Sequence, residues 1–134
     1  MSKKRLARNF LVADRVLNII GLAMFMIIPV VLLVVGIVLM AKGDFNGTKE
    51  EVNQAILGLS VLISGVTTFF VGVPLSVLAL VFNGVAMRGL AKAKSKAEGR
   101  KPAILGIIGG ALIGTFGIPA GIIMLVMKDS DYSL

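Results

Sequence analysis

The first long uncharged stretch of the chain, Val16–Ala41, reads VLNIIGLAMFMIIPVVLLVVGIVLMA. It contains no Asp, Glu, Lys or Arg, and about 20 apolar residues in a helix suffice to cross a hydrocarbon core of about 30 Å. A cleaved signal peptide is the alternative, because basic residues precede the stretch. The stretch exceeds the roughly 7–15 apolar residues of such leaders, and no good small-x-small cleavage site follows it. We therefore expect a retained membrane-spanning helix.

Two further uncharged stretches follow, Ala55–Met87 and Ala103–Met127. Hydrophobic residues make up 57% of the 134-residue chain, which exceeds the apolar share of ordinary soluble domains. A soluble chain of this length could not bury that much apolar surface. The pattern predicts an all-α membrane protein in which residues 1–134 form a single membrane domain with three transmembrane helices, at approximately 16–41, 55–87 and 103–127.

The second stretch is too long for one perpendicular crossing, at about 50 Å as a helix. Pro74 lies near its middle, so we expect one long helix, kinked there and tilted. A hairpin turning at Val71–Leu75 would place the basic residues after 87 outside, and we disfavour it. Thr48 and Glu51 have capping-box spacing, which predicts a helix start near Lys49. Pro102 fits the first turn of the third helix.

The charges predict the orientation. Residues 1–15 carry five cations and one acid, and the predicted loop 88–101 carries six cations and one acid. Residues 42–54 and 128–134 each have a net charge of −1. Since cytoplasmic segments are rich in Lys and Arg, the distribution predicts a multi-pass protein of the plasma membrane with its N-terminus and loop 88–101 in the cytoplasm and its C-terminus outside.

Glycine stripes are the candidate packing surfaces, because helices in lipid associate where small residues let backbones approach. One stripe lies on the second predicted span and one on the third. They comprise Gly58, Gly65 and Gly72, and Gly106, Gly110, Gly114, Gly117 and Gly121. We expect them to pack these two helices against each other. A homo-oligomer or a contact with another membrane protein is the alternative, and chance spacing also remains open.

The predicted loop 88–101 is the candidate surface for charged partners. Its cations are Arg88, Lys92, Lys94, Lys96, Arg100 and Lys101. They suit anionic lipid headgroups, and an acidic cytoplasmic partner is the alternative. The formal net charge of +7 does not favour nucleic-acid binding, because the cations flank apolar stretches and form no basic face within a domain.

Chemistry-bearing residues are sparse. The chain has no His and no Cys, and its apolar stretches hold no ionisable residue, although proton relays and ion-coupled carriers use such groups. We predict no catalytic, cofactor-binding or metal-binding residues. Asn18 and Asn83 are interpreted as hydrogen-bonding residues between helices, with ligand binding as the alternative. Asp14 and Arg15 are interpreted as an interfacial anchor pair.

Three segments resemble a family of small membrane proteins of Gram-positive bacteria that is grouped as a domain of unknown function. They are the acidic lead-in Thr48-Lys49-Glu50-Glu51, the Lys-rich loop, and the closing sequence IPAGIIML at 118–125. The resemblance implies a bacterial source and a multi-span membrane fold. It implies no activity and no site residues.

The function we expect is that of a non-enzymatic small integral membrane protein, an accessory or envelope-associated subunit that acts through helix packing. A holin-like pore former is the alternative, although no helix carries a continuous polar face. An immunity or transporter-accessory protein is a third possibility that differs only in its partner.

Overall fold

A computed structural model describes residues 2–133, and within them all regular structure is helical. The helices, in chain order, are α1 (Lys3–Lys42), α2 (Lys49–Lys92), α3 (Lys96–Leu112), α4 (Gly117–Val126) and α5 (Asp129–Tyr132). The chain forms two compact units. Unit 1 comprises Met1–Gly21 and Leu75–Leu134, and unit 2 comprises Leu22–Pro74.

Two helices, α1 and α2, are long and apolar enough to cross a membrane, judged by length and composition. In an apolar 18-residue window of each helix, 11% of the α1 window and 17% of the α2 window is buried. A core helix of a soluble protein would be mostly buried. The expected helices over the first two apolar stretches are confirmed, and both present most of their apolar side chains outward.

Unit 2 is a hairpin of two antiparallel helical arms. Gly36 and Gly58 are both buried where the arms meet, and a Cβ built on Gly58 would lie 2.9 Å from the carbonyl oxygen of Gly36. Further along, a Cβ on Gly65 would lie 3.0 Å from the Cβ of Leu32. Small residues therefore bring the two backbones close together, which is how helices gain contact in the absence of water.

The expected start of α2 is confirmed. The backbone N–H of Glu51 donates to Thr48 Oγ1 at 3.3 Å, and the Thr48 hydroxyl donates to Glu51 Oε1 at 3.1 Å. Thr48 thus satisfies one of the amides that a helix N-terminus leaves free. The helix continues through Pro74 to Lys92 without a break, so the disfavoured hairpin at 71–75 does not form.

Unit 1 has its own core, built from small and medium apolar side chains contributed by all five helices. Its fully buried members are Ala7, Leu11, Ala86, Leu90, Ala93, Ala103, Ala120, Met124, Met127 and Tyr132. The alanines let the helices approach, while the leucines, methionines and Tyr132 fill the remaining space.

The third apolar stretch does not form the continuous span that we expected. It is divided at residues 113–116 into α3 and α4, which fold back on each other. At this turn Gly114 has φ +98° and Thr115 has φ +62°, so the backbone leaves the right-handed helical region. The predicted third transmembrane helix is therefore replaced by a helical hairpin.

The predicted loop 88–101 is also mostly helical. Helix α2 extends to Lys92, and α3 begins at Lys96 after its N-cap Ser95, whose hydroxyl accepts from the backbone N–H of Glu98 at 3.3 Å. Pro102 consequently lies inside α3 rather than in its first turn. The Ser95–Glu98 spacing is itself a helix-start signal, and it places the boundary earlier than the proline does.

The C-terminal segment returns to the N-terminus. Lys4 Nζ donates to the carbonyl oxygens of Ala93, at 3.1 Å, and Tyr132, at 2.9 Å. The Tyr132 hydroxyl donates to the carbonyl of Met124, and burial raises the pKa of this phenol, which keeps it a neutral donor. Residues from both ends of the chain thus share one compact unit. The prediction that the C-terminus lies across the membrane from the N-terminus stays a prediction, and these contacts do not favour it.

Candidate functional site

Three buried polar side chains meet in unit 1, and we call Asp14, Asn18 and Asn83 the polar cluster. Asp14 Oδ2 accepts from Asn18 Nδ2 at 3.3 Å and from Asn83 Nδ2 at 3.2 Å. Asn83 Nδ2 also donates to the carbonyl oxygen of Leu11 at 2.9 Å. All three side chains are at most 1% exposed. The cluster therefore ties α1 to α2 through side chains that are cut off from water.

The remaining oxygens of Asp14 and Asn18 face the turn between α3 and α4. The Oδ1 atoms of Asp14, Asn18 and Asn83 are buried without a hydrogen-bond partner. A Cβ built on Gly114 would overlap Asp14 Oδ1 and lie 2.9 Å from Asn18 Oδ1.

The positions of these residues follow from helical geometry. Asp14 and Asn18 are four residues apart, so both lie on one face of α1. Gly117 is the first residue of α4, and the N-terminus of a helix carries partial positive charge that favours a carboxylate. Phe10 stacks on Phe116 of the turn, with ring centroids 6.1 Å apart. The turn of the α3–α4 hairpin thus packs against the polar cluster.

The second feature of unit 1 is a groove of about 1220 Å³ that we call the basic groove. Its six cations come from α1, α2 and the segment after α2, and its apolar and small residues, apart from Ser2, come from α2. The lining residues are Ser2, Lys4, Arg5, Arg8, Arg15, Leu80, Val81, Gly84, Val85, Met87, Arg88, Leu90, Ala91 and Lys94. Neither Asp nor Glu occurs among them.

The predicted headgroup-binding cations do not form one surface. Arg88 and Lys94 line the basic groove together with four cations from the N-terminal part of α1. Lys96 and Arg100 line a smaller cavity of about 510 Å³ that also contains Asp129. Lys92 and Lys101 are exposed and line neither cavity.

The glycines of the second span lie against α1, not against the third stretch. Gly58 and Gly65 pack against the part of α1 that belongs to unit 2, and Gly72 packs against the ring of Phe25. The expected pairing of the second and third glycine stripes is therefore wrong for these three residues, because their partners are on the first helix.

The glycines of the third stretch face each other across the hairpin. A Cβ on Gly110 would lie 2.8 Å from the Cα of Gly117, and a Cβ on Gly121 would lie 2.5 Å from the carbonyl oxygen of Ala103. Gly106 packs more loosely, with Ala86 and Leu11 side-chain atoms 3.5 Å from its Cβ position. The glycines that we expected to form one continuous stripe therefore lie on two helices that pack against each other.

Sequence reasoning missed the cluster and most of the groove. The Asp14–Asn18 spacing signals a shared face, but it does not show that Asn83 and Gly114 meet that face. The cations Lys4, Arg8 and Arg15 recur at spacings of four and seven residues, which also indicates one face of α1. The role of Gly84 has no signal in the sequence. Its Cβ position has no other atom within 4 Å, so it opens onto the groove.

No protein-family model, no curated protein and no solved structure matches this chain. The resemblance to a family of small Gram-positive membrane proteins therefore stays a prediction.

Proposed function

We propose that the chain is a non-enzymatic integral membrane protein with two membrane spans, and that it serves as an accessory subunit of a bacterial plasma membrane. The observation that carries the proposal is the outer surface of unit 2. Its two arms contain no charged residue at 22–41 or 52–74, and large apolar side chains such as Ile27, Ile37 and Phe70 are 59%, 59% and 69% exposed.

The lengths of the two arms support this proposal. Twenty residues in a helix extend about 30 Å, and 23 residues extend about 35 Å, which suits a hydrocarbon core of about 30 Å. All charged residues of unit 2 fall between Lys42 and Glu51, at the turn that joins the arms. A charge-free hairpin with a charged turn is what a two-span membrane segment requires.

The distribution of charge supports a revised topology. Unit 1 contains twelve of the fourteen cations and four of the seven acids, for a net charge of +8, whereas unit 2 has a net charge of −1. By the positive-inside rule, unit 1 faces the cytoplasm with both chain termini. The turn at 43–48 then lies outside.

The α3–α4 hairpin takes the place of the third span in this proposal. Residues 102–127 carry no charge, and charged residues flank them at both ends of the hairpin. The turn at Gly114 packs against Asp14 and Asn18, which precede the apolar arm that begins at residue 22. In this proposal the hairpin therefore belongs to the cytoplasmic unit 1 and does not cross the membrane.

Membrane extraction tests the proposal. Membranes from expressing cells are washed with alkaline carbonate and then solubilised in mild detergent. We expect the protein to resist the carbonate wash and to dissolve only with detergent, and a purification from native membranes then identifies any stoichiometric partner. Recovery of the folded protein in the soluble fraction without detergent would overturn membrane insertion.

A further inference from the structure

We propose that the basic groove binds one anionic phospholipid, with its phosphate among the groove arginines and an acyl chain along α2. This inference rests on the proposed membrane insertion and goes beyond it, because it assigns a defined lipid site to unit 1. The charge of the groove, its apolar wall and its size each favour such a ligand.

The charge of the groove selects an anion. Six of the fourteen lining residues are Lys or Arg, and no carboxylate lines the groove. Arg8 and Arg15 are seven residues apart on α1, and Arg88 lines the same groove from α2. Basic pockets between helices on the cytoplasmic side suit anionic headgroups, and the forked guanidinium of Arg matches phosphate oxygens.

The apolar wall selects a lipid over a soluble phosphate compound. Val81 and Val85 lie one turn apart on α2 and are 54% and 47% exposed, and Arg88 follows one turn later on the same face. The wall thus presents branched side chains beside the cations, so a ligand that fills the groove must be charged at one part and apolar at another.

The size of the groove supports the same choice. Its volume of about 1220 Å³ exceeds the roughly 300–1,000 Å³ of typical pockets for small ligands. Gly84 contributes open space beside the apolar wall, since nothing lies within 4 Å of its Cβ position. A lipid headgroup with part of a chain uses this length, whereas a free phosphate would occupy only the cationic part.

The test is native mass spectrometry on the full chain, purified in non-ionic detergent, stripped of lipid and titrated with phosphatidylglycerol or phosphatidylcholine. We expect one tightly bound phosphatidylglycerol and at least tenfold weaker binding of phosphatidylcholine. The double variant Arg8→Gln/Arg88→Gln should weaken phosphatidylglycerol binding roughly 10–30-fold. The matched control Lys92→Gln/Lys101→Gln removes the same charge outside the groove and should change binding less than twofold.

A second variant tests the apolar part without removing charge. Gly84→Leu adds a side chain where the structure has space, so the fold should persist while the acyl-chain site is filled. We expect at least fivefold weaker phosphatidylglycerol binding, with Ala111→Leu on the exposed face of α3 as the control. Equal binding of the two lipids would overturn the proposal. Unchanged phosphatidylglycerol binding in both groove variants would also overturn it. So would displacement of the lipid by inorganic triphosphate together with unchanged binding in Gly84→Leu. Any of these results for a protein that is embedded in the membrane would contradict the lipid site but not the proposed function.

Discussion

Gly114 and Thr115 are the two residues at which the third apolar stretch departs from helical geometry. Both have positive φ, +98° and +62°, a region in which a residue with a Cβ is disfavoured by roughly 1–2 kcal/mol. Gly114 avoids this cost and also leaves room for the oxygens of Asp14 and Asn18. Thr115 has a Cβ and therefore bears this cost.

The two turn residues should respond in opposite directions to substitution. We expect Gly114→Ala to destabilise the protein by about 1–3 kcal/mol, because its methyl group overlaps Asp14 Oδ1 in addition to the backbone strain. Thr115→Gly should be neutral or stabilising by up to about 1 kcal/mol, because the strain is relieved. Thermal unfolding in detergent, followed by helical circular dichroism, measures both. A more stable Gly114→Ala protein would contradict the placement of this turn.

The polar cluster predicts a difference between two substitutions of Asp14. Asp14→Leu should cost about 1–3 kcal/mol or more, because it leaves the buried amides of Asn18 and Asn83 without their shared acceptor. Asp14→Asn should cost less, because its carbonyl still accepts and its amide can donate to one of the unpartnered Oδ1 atoms. Unfolding midpoints of the two variants in the same detergent compare these costs. Equal stability of both variants would show that the cluster contributes little.

Asp14 illustrates what the sequence could predict of the site. Asp14 and Arg15 immediately precede the uncharged stretch that begins at Val16, and that position alone favours a solvent-facing anchor. The structure instead buries it, because Asn83 and the Gly114 turn meet it from segments 69 and 100 residues away. Such long-range contacts leave no periodic signal in the chain, so Asn18 and Asn83 could be identified as polar helix residues but not as partners of one carboxylate.

At the scale of the elements, hydropathy predicted α1 and α2 and misjudged α3 and α4. A charge-free run from Ala103 to Met127 has the length of a span, and length is the main criterion for a span. The glycine spacing of this stretch predicts a surface that packs against another helix. In the structure these glycines instead let α3 and α4 pack against each other. Three closely spaced glycines, Gly110, Gly114 and Gly117, favour a hairpin over a continuous helix, because they weaken the helix propensity of the segment around residues 113–116.

The hairpin predicts a short distance between positions that a straight helix would hold apart. Because the chain has no Cys, Ile104→Cys and Val126→Cys can carry spin labels without removing native thiols, and both side chains are exposed. A continuous helix would separate these positions by about 33 Å. Packed antiparallel helices lie about 8–10 Å apart, so we expect less than about 20 Å. Double electron–electron resonance in nanodiscs distinguishes the two, and a single distance near 33 Å would favour a continuous span.

Close packing within the hairpin gives a second test at this scale. Gly110→Leu should separate α3 from α4, because the new side chain meets the backbone of Gly117, at a cost of about 1–3 kcal/mol or more. Ala111→Leu is the control, since Ala111 is exposed on the same helix. Comparing the unfolding temperatures of the two variants checks the prediction. Equal stability would indicate that the hairpin is loosely packed.

At the scale of the whole molecule, the segregation of charge was predictable and the position of the C-terminus was not. Cations near the N-terminus and after α2 indicate one side of a membrane whatever the number of spans. The C-terminal segment, with Lys128 against Asp129 and Asp131, has too little charge to indicate its own side. Its place is determined instead by contacts, above all the hydrogen bonds of Lys4 and the burial of Tyr132.

Cysteine accessibility in intact cells tests the two-span topology most directly. Single cysteines replace Gly47 in the turn of unit 2, Lys94 between α2 and α3, and Ser133 near the C-terminus, and each variant is treated with a membrane-impermeant maleimide before and after permeabilisation. We predict that Gly47→Cys reacts in intact cells, whereas Lys94→Cys and Ser133→Cys react only after permeabilisation. Reaction of Ser133→Cys from outside, with Lys94→Cys protected, would contradict the topology and restore a third span.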